Sequence, residues 1–401
     1  MKPRILILMH YMELGGAESA LLGLLQSVDP NKVDVDVFIY DHRGELMKYI
    51  PTDKVKLLPE VTAYKMIERP FMECVKSGHV EVAIGRWLAA RTVDRSLVPE
   101  GKHDIRIFTR IADCVEHVVP SIQPNVEYDL AISFLMPHNY VIKKVWAKKK
   151  LGWIHTDYST VYVDVKRELP VWGQLDYIAS ISEEVGEKFV ETFPVLKDKI
   201  IPIENILNSV FIRQRAEENT VSLDVNPSTI KLLTIGRFSP PKKMEEIPMI
   251  CKKLIDDGLD VQWFIIGFGG AEIEQTVREN AVREGVNDRV VLLGKKENPY
   301  PYIKACDIYV QPSRYEGKSI TVREAQILCK PVIVTNYPTA ASQVQDGVDG
   351  IIVPMEVGAC VQEMAAFIRD KVKQMKMVEY LQTHDYGNEN EIEKIYQLAG
   401  A

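Results

Sequence analysis

At 401 residues the chain is too long for one ordinary hydrophobic core and suits two domains of about 200 residues each. A composition of 46% hydrophobic and 26% charged residues, without low-complexity tracts, is that of a globular protein and excludes a disordered chain. The net charge of -7 argues against general nucleic-acid binding, which calls for a marked basic excess.

The first apolar run, residues 5–9, is short and predicts a buried strand; a secretory signal needs a longer apolar core and a small-residue cleavage site. Helical periodicity follows over 17–25, then a strand-like run at 35–40. Residues 61–120 read as mainly helical and interrupt the first unit, a natural place for acceptor selectivity. Strand-like runs resume at 130–134, 151–154 and 177–180, with a helix over 183–192. The second half repeats the scheme, with strands at 231–236, 261–267, 290–293, 308–311, 332–335 and 351–353. Continuous apolar strands separated by helices indicate parallel sheets covered on both faces.

The polar segment EENTVSLDVNPS at 217–228 marks the break. The expected organisation is therefore a Rossmann-like domain at 1–217, a linker at 218–228, a second Rossmann-like domain at 229–375 and a helical tail at 376–401. In open α/β sheets ligands bind beyond the carboxyl ends of the strands, so both halves should face a common cleft. No stretch approaches the roughly 20 apolar residues that span a bilayer, which leads to an expectation of a cytoplasmic protein. The six cysteines, Cys74, Cys114, Cys251, Cys306, Cys329 and Cys360, include no C-x-x-C pair and are expected to be buried reduced thiols.

Charge is uneven. Residues 61–150 hold 14 Lys/Arg against 10 Asp/Glu, net +4 inside an acidic chain. The stretch includes Arg86, Arg91, Arg95, Arg106, Arg110 and the cluster Lys143, Lys144, Lys148, Lys149 and Lys150, with Trp87 and Trp146 interleaved. Two readings stand side by side: a solvated charged surface, or one that meets the cytoplasmic face of the inner membrane or a lipid-pyrophosphate acceptor.

Three loops carry chemistry. After the first strand, Gly15-Gly16 opens a helix and lets backbone amides approach negative charge, though the turn lacks the G-x-G-x-x-G spacing of a dinucleotide cofactor site. After the strand at 231–235, Arg237 and Lys242 stand five residues apart on a proline-stiffened loop and could clamp a diphosphate, one as a planar fork and one as a compact charge. Lys243 is the more incidental of the two adjacent lysines. After the strand at 308–311 comes Glu316, then Gly317-Lys318-Ser319-Ile320 opening a helix whose first amides could receive phosphate oxygens, with Glu324 further along to meet ribose hydroxyls. His155, at the end of the 151–154 strand and before Thr156-Asp157, has a plain structural reading as well as a functional one; His10, His138 and Asp157 are weaker neighbours.

Glu316 and Glu324, with seven residues between them, resemble the E-x7-E signature of retaining GT-B glycosyltransferases, particularly family 4. The likeness extends to Gly15-Gly16-Ala17-Glu18, to Gly236-Arg237-Phe238 with Lys242, and to the runs at 261–269 and 346–354. It is nearest to members that build bacterial capsular or exopolysaccharides. The resemblance implies a GT-B fold, two Rossmann-like domains with parallel sheets facing a central cleft. It implies a retaining transferase acting on a nucleotide-diphosphate sugar, UDP the commonest nucleotide, and a glycan or lipid-linked acceptor. Arg237 and Lys242 would then hold the diphosphate, Glu324 the ribose and Glu316 the transferred sugar. The loop at Gly294 and Lys295 would meet the base, Gly15 and Gly16 the phosphates or sugar, and His155 a sugar hydroxyl.

The chain departs from the family's usual E-G-F-G at Lys318 and Ser319, and Lys243 stands where Gly is frequent. Ser319 is expected to cap the helix and leave its amide available. No cofactor or metal is expected, because the cations supply the charge and no D-x-D-type ligand set is placed for one. Two other classes remain beside the transferase: a nucleotide-sugar epimerase or hydrolase on the same fold, and a non-catalytic polysaccharide-assembly subunit.

Overall fold

In this computed structural model, residues 2–223 and 225–401 are described, Arg95 by its backbone alone. Asp224, inside the expected linker at 218–228, lies outside them. The chain forms two compact units, Met1–Ile206 with Glu389–Ala401, and Leu207–Asn388.

The first unit holds β1 (Arg4–Met9), β2 (Asp34–Ile39), β3 (Lys56–Leu57), β4 (His103–Asp104) and β5 (Tyr128–Ser133). It continues with β6 (Ala147–Ile154), β7 (Val161–Tyr162), β8 (Tyr177–Ser180) and β9 (Ile200–Pro202). Seven of these make one parallel sheet in the order β3-β2-β1-β5-β6-β8-β9; β4 and β7 pair separately. The second unit has β10 (Ile230–Ile235), β11 (Val261–Ile266), β12 (Val290–Gly294), β13 (Ile308–Gln311), β14 (Val332–Thr335) and β15 (Ile351–Val353). Its parallel order is β12-β11-β10-β13-β14-β15. Strands such as β13 and β14 are buried along their whole length, which is why they read as unbroken apolar runs. Where a polar atom enters the core it is paired: the buried Trp263 indole donates to Thr234 Oγ1 at 3.0 Å, and Thr234 donates to Val310 O at 2.7 Å.

Both sheets reverse direction about their first strand, between β1 and β5 and between β10 and β13. Loops leaving the carboxyl ends of such neighbouring strands run apart to opposite sides and open a crevice, the switch point where α/β folds bind ligands. The α/β class and its parallel sheets are those the sequence implies.

The boundaries differ from the sequence expectation at both crossings. The helix Ser209–Glu217 belongs to the second unit, because Ile212 buries against Ile327 and Leu328 there. The tail at 376–401 divides. Met377 and Leu381 join the core of the second unit, while the helix Ile392–Ala399 returns to the first. There Tyr396 Oη accepts from the Asp29 amide at 2.8 Å, and Lys149 Nζ donates to Leu398 O at 3.0 Å. All six cysteines are free thiols. Among the described residues, no helix is long and apolar enough to cross a membrane.

Candidate functional site

The loop after β10 leads into a short turn, Pro240–Lys242, whose prolines fix φ near the value the turn needs. Lys242 is thereby aimed across the switch point at the loop after β13, where its Nζ donates to both oxygens of Glu316 at 2.6 and 2.8 Å. Glu316 is buried, and Oε1 also accepts from Ser313 Oγ at 2.6 Å and Gln311 Nε2 at 3.1 Å. Tyr309 Oη, 2.7 Å from Gln311 Oε1 and 2.7 Å from Thr321 Oγ1, ties this network to the helix Ile320–Ile327. The Glu316 carbonyl accepts from Thr339 Oγ1 at 2.8 Å. A carboxylate with a cation and two neutral donors is held in one rotamer, with its charge compensated in a dry setting.

Glu324 sits on that helix, buried, with Tyr300 Oη donating to Oε1 at 2.9 Å. Burial pushes its carboxyl up to about 7, and the Tyr300 hydrogen bond opposes the rise. Arg237 is exposed, its stem beside Gly269, and among the described residues no ion pair engages it. The loop carrying Arg237 is braced by Gly270, which has φ 59° and packs so tightly that a Cβ there would meet Phe238 O at 1.8 Å. Gly294 ends β12 at φ 70°, and Lys295 Nζ lies 5.0 Å from the centroid of the Phe268 ring.

Two expectations at this site change. The Ser319 amide is not available: it donates to Gln343 Oε1 at 3.0 Å, while Gln343 Nε2 donates back to Ser319 O. Ser319 is the N-cap residue by position, but its hydroxyl makes no cap bond and lies 3.2 Å from Thr321 Oγ1 instead. The anion-binding end of the helix is thus confined to the residues around Ser319, the amides of its first turn having no partner within the helix. Lys243, in turn, is not incidental. It is buried at φ 56°, where Gly is favoured, and is held there by Met355 O at 2.6 Å and Glu246 at 2.9 Å. Sequence reasoning missed Gln311, Ser313, Tyr300 and Gln343. A polar Gln311 closing an apolar strand run was the one signal available for them.

In the first unit, Gly15 precedes the helix Gly16–Gln26 in extended conformation. The side chain of Glu18 folds back over it, so that a Cβ on Gly15 would meet Glu18 Oε2 at 2.1 Å. The helix N-terminus therefore already faces a carboxylate of its own, a geometry Gly15 permits. His155 follows β6 and stacks on Trp153 with Phe134 alongside, the ring centroid 4.6 Å away. Burial lowers its pKa to about 3, with the Phe134 backbone and Asn205 opposing the fall. His138, 2.8 Å from Ser133 Oγ and packed on Trp172, is likewise lowered to about 3 by burial. Both are neutral rings near pH 7. His10 makes a close ion pair with Glu68, which Arg43 reaches at 3.5 Å. Asp157 is buried and accepts from the Ser159 amide at 2.7 Å.

Residues 216–384 match the family described as Glycosyl transferases group 1. The match covers most of the second unit. Within it lie Arg237, Lys242, Gly294, Lys295, the Glu316 to Ile320 loop and Glu324. The chain is 30% identical over 101 residues to the lipopolysaccharide core biosynthesis mannosyltransferase LpsB of Rhizobium meliloti, covering 24% of this chain and 29% of that one. It is 25% identical over 140 residues to the UDP-Gal:alpha-D-GlcNAc-diphosphoundecaprenol alpha-1,3-galactosyltransferase of Escherichia coli, 34% of this chain and 36% of that one. These matches span well under half the length of either relative. The likeness of fold is wider. The structure of Anabaena HepE in complex with UDP and glucose is similar with a TM-score of 0.65 over 99% of both chains, at 15% identity. The matched segment thus sits in a chain whose fold, in both units, is that of GT-B structures.

Proposed function

We propose that this chain is a retaining glycosyltransferase of bacterial surface polysaccharide synthesis, moving a sugar from a nucleotide diphosphate donor, UDP foremost, onto a glycan or lipid-linked saccharide. The observation that carries this reading is the pairing of half-buried Lys242 with buried Glu316 across the β10/β13 switch point, with Arg237 exposed on the same loop and Glu324 one turn into the following helix. The activities for which LpsB and the E. coli galactosyltransferase are named support it, as does the UDP bound to HepE.

In the reaction, the bond from the anomeric carbon to the diphosphate oxygen breaks and the bond to the acceptor oxygen forms on the same face. The acceptor proton passes to the departing phosphate. Negative charge grows on the diphosphate, where Arg237 and Lys242 stabilise it; an ammonium has three N–H donors, so Lys242 can serve a phosphate oxygen while holding Glu316. Neutral His155 accepts or donates a hydrogen bond to a sugar hydroxyl without adding charge beside the cationic anomeric centre. No metal takes part in this scheme, and the nucleotide sugar is substrate rather than cofactor.

A thermal-shift panel of UDP, GDP, ADP, CMP and their sugars tests the donor. One diphosphate at 100 times its Kd should stabilise the parent by about 2.7 kcal/mol and leave Arg237→Ala unshifted. Stabilisation by none, with no sugar transfer to any acceptor, overturns the reading. A product of inverted anomeric configuration, or a glycosyl adduct on a carboxylate, overturns the same-face mechanism alone.

A further inference from the structure

The helical insertion of the first unit carries an apolar surface that its own fold leaves uncovered. Among the described residues, nine of the eighteen exposed large hydrophobic side chains lie between residues 71 and 108. Phe71, Met72, Ile84, Trp87 and Leu88 are 46–61% exposed. On the helix Val80–Thr92 they follow one stripe, 80, 84, 87 and 88, and the opposite face is already spent: Val82, Ala83 and Ala89 are buried. Gly85 brings this helix so close to Arg106–Val115 that a Cβ would meet Val115 Cγ1 at 2.7 Å. The helix is therefore apolar on two sides and packed on one. Phe71, Trp87, Ala90, Val93, Ile107 and Ile111 also line an adjoining groove of about 570 Å³.

The charges around this surface indicate what covers it. Its acids are mostly engaged: Glu73 with Arg69 at 3.9 Å, Asp104 with Arg106 at 2.9 Å, Asp94 with the Ser96 amide and hydroxyl, and Glu81 3.7 Å from the His79 ring. Lys76, Arg91 and Lys102 have no ion-pair partner among the described residues, against the single acid Glu100. Arg91 lies flat over the Trp87 ring, 3.6 Å from its centroid. An exposed indole with a guanidinium on its face, beside aliphatic side chains and unpaired cations, matches the boundary of an anionic bilayer, where rings sit at headgroup level and cations meet phosphate. The lysine cluster near β6 does not contribute: Lys148 pairs with Asp129 at 2.7 Å, Lys149 binds Leu398 O and Lys150 binds Ile142 O.

We propose that the face formed by helices Phe71–Lys76 and Val80–Thr92 docks this chain on an anionic phospholipid bilayer, with Phe71, Ile84, Trp87 and Leu88 entering the acyl boundary and Lys76 and Arg91 on the headgroups. The proposal deepens the reading of a lipid-linked acceptor, yet its test uses no donor and no acceptor. The full chain is sedimented with vesicles of phosphatidylglycerol mixed with phosphatidylcholine, and with phosphatidylcholine alone. The expected result is binding to the first that is at least about tenfold stronger than to the second and weakens with salt. The triple variant I84S/W87S/L88S and the charge variant K76E/R91E should each lose roughly tenfold or more in partitioning. Their circular dichroism and diphosphate-induced thermal shift should match the parent's. Absence of vesicle binding, or undiminished binding by both variants, overturns the proposal. So does a parent dimer in light scattering that the triple variant splits. Failure of the donor panel with vesicle binding intact would strike the transferase reading and leave the docking face standing.

Discussion

The carboxyl ends of β10 and β13 in the second sheet and of β5 and β6 in the first are equipped differently. Beyond β10 and β13 the groups are paired: Lys242 donates to Glu316, Gln311 and Ser313 fix the same carboxylate, and Arg237 is exposed on the loop that carries Lys242. Around His155, beyond β5 and β6, burial removes charge instead. His155 and His138 are held neutral, and Glu168, buried on the helix Val165–Trp172, is pushed up to about 8 and so carries its proton near pH 7. Aromatic faces of Phe134, Trp153 and Trp172 do the positioning there. The contrast teaches that parallel sheets of one class can end in paired ions on one and in neutral rings on another, the choice being made by which side chains are desolvated and which are paired.

That contrast can be broken most severely at the ion pair. Lys242→Ala should lower kcat for sugar transfer about 100- to 1000-fold, as loss of a charge-stabilising donor does, and uncouple Glu316 as well; steady-state nucleotide release checks it. A drop under about tenfold would mean that the pair is scaffolding.

The next effect is one of pH on Glu324. Its folded pKa, about 7, stands above the ordinary 4.5 of a glutamate, so the folded chain keeps the proton longer. The associated stability is fully present below pH 4.5 and is lost as pH rises towards and through 7, about 3 kcal/mol in all. Glu324→Gln should therefore gain stability at pH 8 in denaturant titrations while losing donor affinity, a pairing that a plain surface glutamate cannot give.

On the histidine side the sign reverses. A folded pKa near 3 against an ordinary 6.5 means that stability is present above pH 6.5 and drains away as pH falls. Each of His138 and His155 should account for about 2 kcal/mol lost by pH 5. His155→Asn removes its share of that acid sensitivity, measurable as a flatter stability curve from pH 7 to 5.

The smallest effect is at Lys243. Lys243→Gly relieves a left-handed residue of about 1 kcal/mol but gives up the bonds to Met355 O and Glu246, for a net loss of roughly 1 kcal/mol in thermal denaturation.

How far this arrangement could be read in the residues depended on distance along the chain. Strands such as β13 and β14, and the helix carrying Glu324, were plain because their cause is local: apolar runs and a 3.6-residue period. The pairing of Glu316 with Lys242 was half legible, since both were singled out but for separate tasks. What stayed hidden were partners supplied from afar. Gln343 takes the Ser319 amide from 24 residues on, and Lys149 is spent on Leu398 O, 249 residues away. Glu18 was noted only as part of the Gly15-Gly16-Ala17-Glu18 run; its rotamer, folded back over Gly15, has no signal in the sequence.

The return of Ile392–Ala399 to the first unit has a consequence for synthesis. The strands of that unit leave the ribosome first, yet the helix that seats Tyr396 against Asp29 is made last, after the whole of Leu207–Asn388. At about 5–20 residues per second the nascent first unit waits roughly 10–40 s for its final piece, while the second can close as soon as Asn388 emerges. A break after Asn388 would therefore leave a finished second unit joined to a first unit still lacking its returning helix.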